Sequence, residues 1–139
     1  MKKEEAIEQG LALVNRSTIA MVGTVDDESC PNIRAMIKME NEGLKRIWFT
    51  TNTSSKKVTQ IKNSPKVCVY FVDFDKRMGL MLIGTMEILQ DPESKRRLWR
   101  EGFEKYYPQG VNDPDYSVLR FTGHWGKYYH KLATVTFEL

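Results

Sequence analysis

A chain of 139 residues is long enough for one domain with a real core. Its composition, 41% hydrophobic and 28% charged, is that of a globular protein, and no apolar run reaches membrane-spanning length. A net charge of +3 is too small for a dedicated nucleic-acid binder. Cys30 and Cys68 lie far apart and outside any Cys-x-x-Cys arrangement, so two reduced thiols and a cytoplasmic location are expected.

In chain order, residues 3–16 read as an amphipathic helix rather than a signal-peptide core. Ile7, Leu11 and Val14 form its stripe, with Glu4 and Glu5 at its start and Arg16 at its end. Thr18–Val25 is an almost continuous apolar strand, expected to be buried on both faces. After the polar turn Asp26–Ser29, residues Asn32–Met39 alternate cleanly. Ile33, Ala35, Ile37 and Met39 fall on one side, and Arg34, Met36 and Lys38 on the other. Asn41-Glu42-Gly43 turns the chain into a third strand, with Ile47 and Phe49 on one face and Trp48 and Thr50 on the other; three strands so joined predict a meander.

This third strand runs into a short helix with Thr53 or Ser54 as its N-cap, Val58 and Ile61 on its apolar face, and a stop at Asn63-Ser64-Pro65. Lys66–Val72 is a strand, Asp73–Arg77 a turn, and Met78–Leu89 a long strand with a bulge expected at Gly84. Asp91 caps the next helix, with Pro92 in its first position and Glu93 in its first turn. Lys95-Arg96-Arg97 reads as a solvated face and Leu98 as its packed counterpart. Residues 101–115 suggest a short helix and a loop, and two strands, Tyr116–Thr122 and Tyr128–Glu138, close the chain. The inventory is mainly β with peripheral helices. About seven antiparallel strands in so small a protein favour a closed or nearly closed barrel over residues 1–139, one domain.

The junction after the third strand is chemically distinctive. Lys56 and Lys57 stand in the first turn of a helix, where unpaired amides already carry partial positive charge and an acidic residue is the usual occupant. From Gly43 to Val72 there are six basic residues and no acidic one, so the remainder of the chain is net negative. A lysine pair taken alone would simply point into water. Concentrated in this way, the charge suggests a local anion site, with the Thr and Ser hydroxyls, free amides and ammonium groups converging on a phosphate.

Other chemistry finds little support. No pair among His124, His130, Cys30 and Cys68 has metal-ligand spacing. A Gly-x-Ser-x-Gly elbow, a P-loop and a dinucleotide Gly-x-Gly-x-x-Gly pattern are all missing. The run His124–His130 could stack on a planar ligand or serve as barrel wall.

Taken in order, several motifs resemble the pyridoxamine 5′-phosphate oxidase-related flavin-binding proteins, nearest to the short general-stress-protein-26-like group. They are Pro31-Asn32-Ile33-Arg34-Ala35-Met36, Trp48-Phe49-Thr50-Thr51 followed by Ser55-Lys56-Lys57, and Asn63-Ser64-Pro65-Lys66-Val67-Cys68-Val69. Gly84-Thr85-Met86-Glu87 before Asp91-Pro92, Asp113-Pro114-Asp115 before Val118-Leu119-Arg120-Phe121, and Tyr128-Tyr129 complete the set. The resemblance implies a split β-barrel of antiparallel Greek-key type and a homodimer with two FMN sites at the subunit interface. By the same resemblance, Ser55, Lys56, Lys57 and Arg34 match phosphate-binding positions. Ala35 and Met36 match backbone beside the isoalloxazine ring, Thr50 and Thr51 contacts to ring and ribityl chain, and Trp125 a late aromatic near the flavin.

Two departures bear on activity. Gly79 stands where the oxidase presents a glutamine from the partner subunit, and the chain ends at Thr134–Leu139 without the oxidase's arginine-bearing segment, so pyridoxine phosphate oxidation is not expected. Lysines replace arginine in the phosphate stretch, which removes a bidentate contact. The resemblance therefore implies an FMN-binding flavoprotein of oxidoreductase type with no nameable catalytic side chain. The alternatives are a non-catalytic flavin-binding or stress-related protein, a split barrel holding haem or a deazaflavin, and, more remotely, a polyanion binder.

Overall fold

A computed structural model describes all 139 residues. Three α-helices and eight strands follow one another as α1 (Lys3–Arg16), β1 (Ile19–Val25), β2 (Pro31–Ile37), β3 (Glu40–Glu42), β4 (Arg46–Asn52), α2 (Lys56–Asn63), β5 (Lys66–Asp73), β6 (Met78–Leu89), α3 (Pro92–Leu98), β7 (Tyr116–His130) and β8 (Ala133–Glu138). Two short 3-10 turns, Phe103–Lys105 and Gly110–Asn112, occupy the segment between α3 and β7. No helix is long and apolar enough to cross a membrane.

All strands belong to one curled antiparallel sheet in the order β2-β1-β5-β6-β7-β4-β3, with β8 added to the far half of β7. This is a split barrel. The predicted meander is corrected: β4 pairs with β7 and β3, leaving β2 at one end of the hydrogen-bonded path and β4 next to last at the other. They meet across the split, where the Met39 amide donates to the Trp48 carbonyl at 2.9 Å. Sequence adjacency favours a hairpin, but β4 gains a seven-residue ladder by pairing with β7 instead.

The closing strands are also corrected. Tyr116–His130 is continuous, and the second expected strand is a hairpin turning at Lys131 and Leu132 into β8, with Lys131 at φ 56°. Gly123 and Gly126 make the middle of β7 look like a loop in sequence. In the fold they are places of close approach, Gly126 lying under the Phe137 ring and Gly123 against the Leu44 carbonyl. The bulge expected at Gly84 is present, as the β6–β7 register shifts between Ile83 and Gly84. A Cβ at Gly84 would collide with the Thr122 carbonyl.

The main core lies inside the curl, beneath α1, and includes Leu13, Ile47, Phe49, Leu80, Phe121 and Tyr128. The α1 face is rotated from the expected stripe. Ala6, Gly10, Leu13 and Val14 are buried while Ile7 and Leu11 flank them, because small residues let the helix lie closely on Leu80 and Tyr128. A second core gathers Trp48, Leu98, Tyr107, Tyr116 and Val118 on the other side of β4, as its alternation requires.

β1 is not buried on both faces, and β2 reverses the simplest hydrophobic expectation. Arg34, Met36 and Lys38 turn inward, while Ile33 and Ile37 stand 67% and 64% exposed beside Ile19, at 50%. Strand register continues this outer apolar face through Met21, Tyr70, Met81 and Ile83.

Lys95 corrects the reading of α3. It is only 5% exposed, its Nζ donating to the Gln90 Oε1 at 3.2 Å and the Asp113 carbonyl at 2.9 Å above the Tyr116 ring. Asp91 caps α3 as expected, accepting from the Ser94 amide at 3.0 Å.

Candidate functional site

A cleft of about 660 Å³ opens where the barrel is split, within the size range of small-molecule sites. β2 supplies one wall with Arg34, Ala35, Met36 and Ile37, and β4 the other with Thr50, Thr51 and Asn52. Lys57 closes one end from α2. The opposite end is the segment after α3, contributing Arg100, Phe103, Tyr106 and Tyr107. No acidic side chain lines it.

The basic end carries two cations and no carboxylate. Arg34 projects from the inner face of β2, where its Nη1 donates to the Thr24 Oγ1 at 2.8 Å and the Val22 carbonyl at 3.1 Å. Its Nη2 donates to the Gln60 Oε1 at 3.4 Å. Lys57 Nζ donates to the Thr51 Oγ1 at 2.8 Å. None of the molecule's four salt bridges includes either cation. Burial, and then the neighbouring Arg34 charge, lower the Lys57 pKa; burial alone lowers that of Arg34. Two cations held close together with only neutral acceptors make an electrostatic vacancy for a negative group.

The N-cap of α2 is Ser55, not Thr53 or Ser54, and it makes no capping bond. Its Oγ is the molecule's sole buried side-chain oxygen or nitrogen lacking a hydrogen-bond partner. Thr53 and Ser54 are drawn away instead. The Thr53 Oγ1 bonds the Pro114 carbonyl and the Ser117 hydroxyl, and the Ser54 amide donates to the Asp115 carboxylate at 2.8 Å. The Asp113-Pro114-Asp115 motif thus anchors the loop that presents Ser55 and the first amides of α2. A buried, unpaired hydroxyl at the positive end of a helix fits an oxyanion.

The remaining expected residues separate. Lys56 points to another cleft, behind α2, with Asp26, Asp27 and Gln60. Trp125 lies on β7 opposite Ile83, lining a surface recess with His124 and Leu139, so a single chain does not bring it to the split. Gly79 is roofed by Tyr70 and Tyr129, which leave no room for a side chain. Conversely, the sequence reading passed over Phe103, Tyr106 and Tyr107. Their i, i+3, i+4 spacing is a one-face signal, obscured by the surrounding Gly and Pro residues. Trp99, Phe103 and Tyr107 pack around Tyr116, at ring separations of 5.1–6.4 Å, and fix this end of the cleft. Burial raises the Tyr107 pKa, with the Asp115 and Asp113 charges adding to it, so its hydroxyl remains a proton-bearing donor.

The family model described as pyridoxamine 5′-phosphate oxidase like matches residues 5–137, nearly the whole chain. The chain belongs to this family. A protein from Clostridium acetobutylicum related to general stress protein 26 of the pyridoxinephosphate oxidase family is 47% identical. It superposes with a TM-score of 0.88, the match covering 99% of this chain and 97% of that one. General stress protein 26 from Bacillus anthracis shares the fold at 19% identity, with a TM-score of 0.77 and coverage of 96% and 98%. So does a haem-binding protein from Mycobacterium smegmatis, at 13% identity and a TM-score of 0.78, covering 99% of this chain and 60% of that one. No curated protein matches the sequence.

Proposed function

We propose that this family member is an FMN-binding flavoprotein whose cofactor lies in the split, its phosphate at the start of α2. The observation that carries the reading is the carboxylate-free pairing of Arg34 and Lys57 in the split, with a partnerless Ser55 Oγ, buried and outside the cleft lining, at the N-cap of the same helix. A phosphate would satisfy all three and the first free amides of α2. Ala35 and Met36 on β2 and Thr50 and Thr51 on β4 would flank the ring and ribityl chain, Thr51 already being oriented by Lys57. Bound FMN would supply hydride or single-electron chemistry. The chain would hold the flavin, neutralise its phosphate and shield one ring face, and Tyr107 could donate a proton in a hydrogen bond without releasing it.

A second copy of the chain completes this reading. An outer sheet face bearing Ile19, Ile33 and Ile37 is an apolar patch of the kind that marks an interface. β2 carries both that patch and one wall of the cleft, so a partner packed there would also wall the site. Trp125 and Ile83 share the outer face, so Trp125 would approach a flavin only across such an interface.

The test is the absorption spectrum of the purified protein followed by titration with FMN. Flavin bands and saturable FMN binding are expected, with Lys57→Ala weakening affinity about tenfold. A Soret band with no flavin binding would favour haem, the ligand named for the Mycobacterium relative. For haem, the cleft offers neither histidine nor cysteine as an axial ligand, only the tyrosines Tyr106 and Tyr107 and the methionines Met36 and Met39. Bleaching by NAD(P)H in the absence of oxygen would identify an oxidoreductase. Tight binding without turnover would identify a carrier or sensor.

A further inference from the structure

Resting on the flavin reading above, we infer that Gln60 is a positioning residue that, with Thr24, holds Arg34 for a phosphate and sets the site's preference for phosphorylated over unphosphorylated flavin. Gln60 lies one turn into α2, between the split and the cleft behind the helix. Thr24, 2% exposed, sits between Gln60 and Arg34.

The direction of every bond in this group is forced. A guanidinium only donates, so the Thr24 hydroxyl must accept from Arg34 Nη1 at 2.8 Å. The Thr24 proton is then available only to another acceptor, and the Gln60 Oε1 lies 2.6 Å away. The same Oε1 accepts from Arg34 Nη2 at 3.4 Å. Were the Gln60 amide reversed, its NH2 would oppose the guanidinium donor. The arrangement therefore requires an acceptor oxygen at this position, which an amide or a carboxylate could each supply.

Neutrality is the informative part. A glutamate at position 60 would present the same oxygen in nearly the same place and bond both partners at least as well. It would also pair with Arg34 and cancel half of the positive charge that Arg34 and Lys57 hold together. An amide orients the guanidinium without discharging it. Gln60 thus acts through Arg34 and meets no ligand itself, and its effect is confined to ligands bearing an anion.

Affinity for FMN and for riboflavin, which lacks the phosphate, separates this role from a structural one. Gln60→Glu is expected to weaken FMN binding by roughly tenfold or more while leaving riboflavin binding and thermal melting close to wild type. Thr24→Val, which keeps shape but removes the relay hydroxyl, is expected to lower the FMN-to-riboflavin ratio in the same direction and guards against misfolding of the first variant. The inference is overturned if either folded variant keeps the wild-type ratio, or loses both flavins equally. A wild-type protein that binds neither flavin would instead overturn the flavin reading, and this inference with it.

Discussion

At the scale of single residues, the two adjacent lysines part company. Lys57 faces the split and bonds Thr51, whereas Lys56 lines the cleft behind α2. Lys57→Ala should therefore weaken FMN binding about tenfold, while Lys56→Ala should change it less than twofold, as read by flavin fluorescence titration. Equal losses would mean that only the general positive field matters. The protonation of Lys57 adds a pH signature. Its pKa in the free protein is lowered by burial and then by Arg34, and a bound dianion would raise it. FMN affinity should thus be level from above the phosphate's second pKa of about 6 up to the lowered lysine pKa, fall with rising pH between the free and bound values, and level off again above the bound one. Riboflavin affinity should show no such fall. By the same linkage, the flavin-free protein should gain stability as pH rises through the lowered Lys57 pKa toward the ordinary lysine value, because the folded state binds that proton less tightly.

At the scale of elements, the most legible were those announced by local chemistry. Asp91-Pro92 fixed the start of α3, and Gly84 marked the bulge that bends β6. Substituting Gly84→Ala should destabilise the protein by roughly 1–3 kcal/mol, because the new Cβ meets the backbone of Thr122 rather than a side chain that can move aside. A melting temperature equal to wild type would contradict that reading. The start of α2 stands out in the sequence by its charge, yet its cap lies one or two residues later than Thr53 or Ser54. The hydroxyls of Thr53 and Ser54 looked equivalent to that of Ser55 until Asp115, Pro114 and Ser117, all distant in sequence, engaged the loop. Lys95 misleads for a related reason. Nothing local says that Gln90 and Asp113 will bury its ammonium over Tyr116. Partners far along the chain are what local pattern does not carry.

At the scale of the molecule, the sheet order is the part that periodicity could not supply. Alternation identifies β2 and β4 as strands and a continuous apolar run identifies β1, but which edges pair depends on the whole curl, and the split between β2 and β4 is what creates the cleft. The outward row of Ile33 and Ile37 was visible as a row in the sequence, and only the fold shows that it faces away from the core. If a second copy covers it, Ile33→Lys combined with Ile37→Lys should convert a dimer to a monomer in light scattering and weaken flavin binding with it. A wild-type monomer with full flavin occupancy would contradict a shared site.

The placement of the phosphate is tested most directly by a crystal structure of the protein with FMN. The phosphate is predicted at the first turn of α2, within hydrogen-bond distance of Arg34, Lys57 and the Ser55 hydroxyl, with the ring between β2 and β4. A flavin bound with its phosphate away from that turn, or a fully loaded crystal in which Ser55 Oγ remains without a partner, would contradict it.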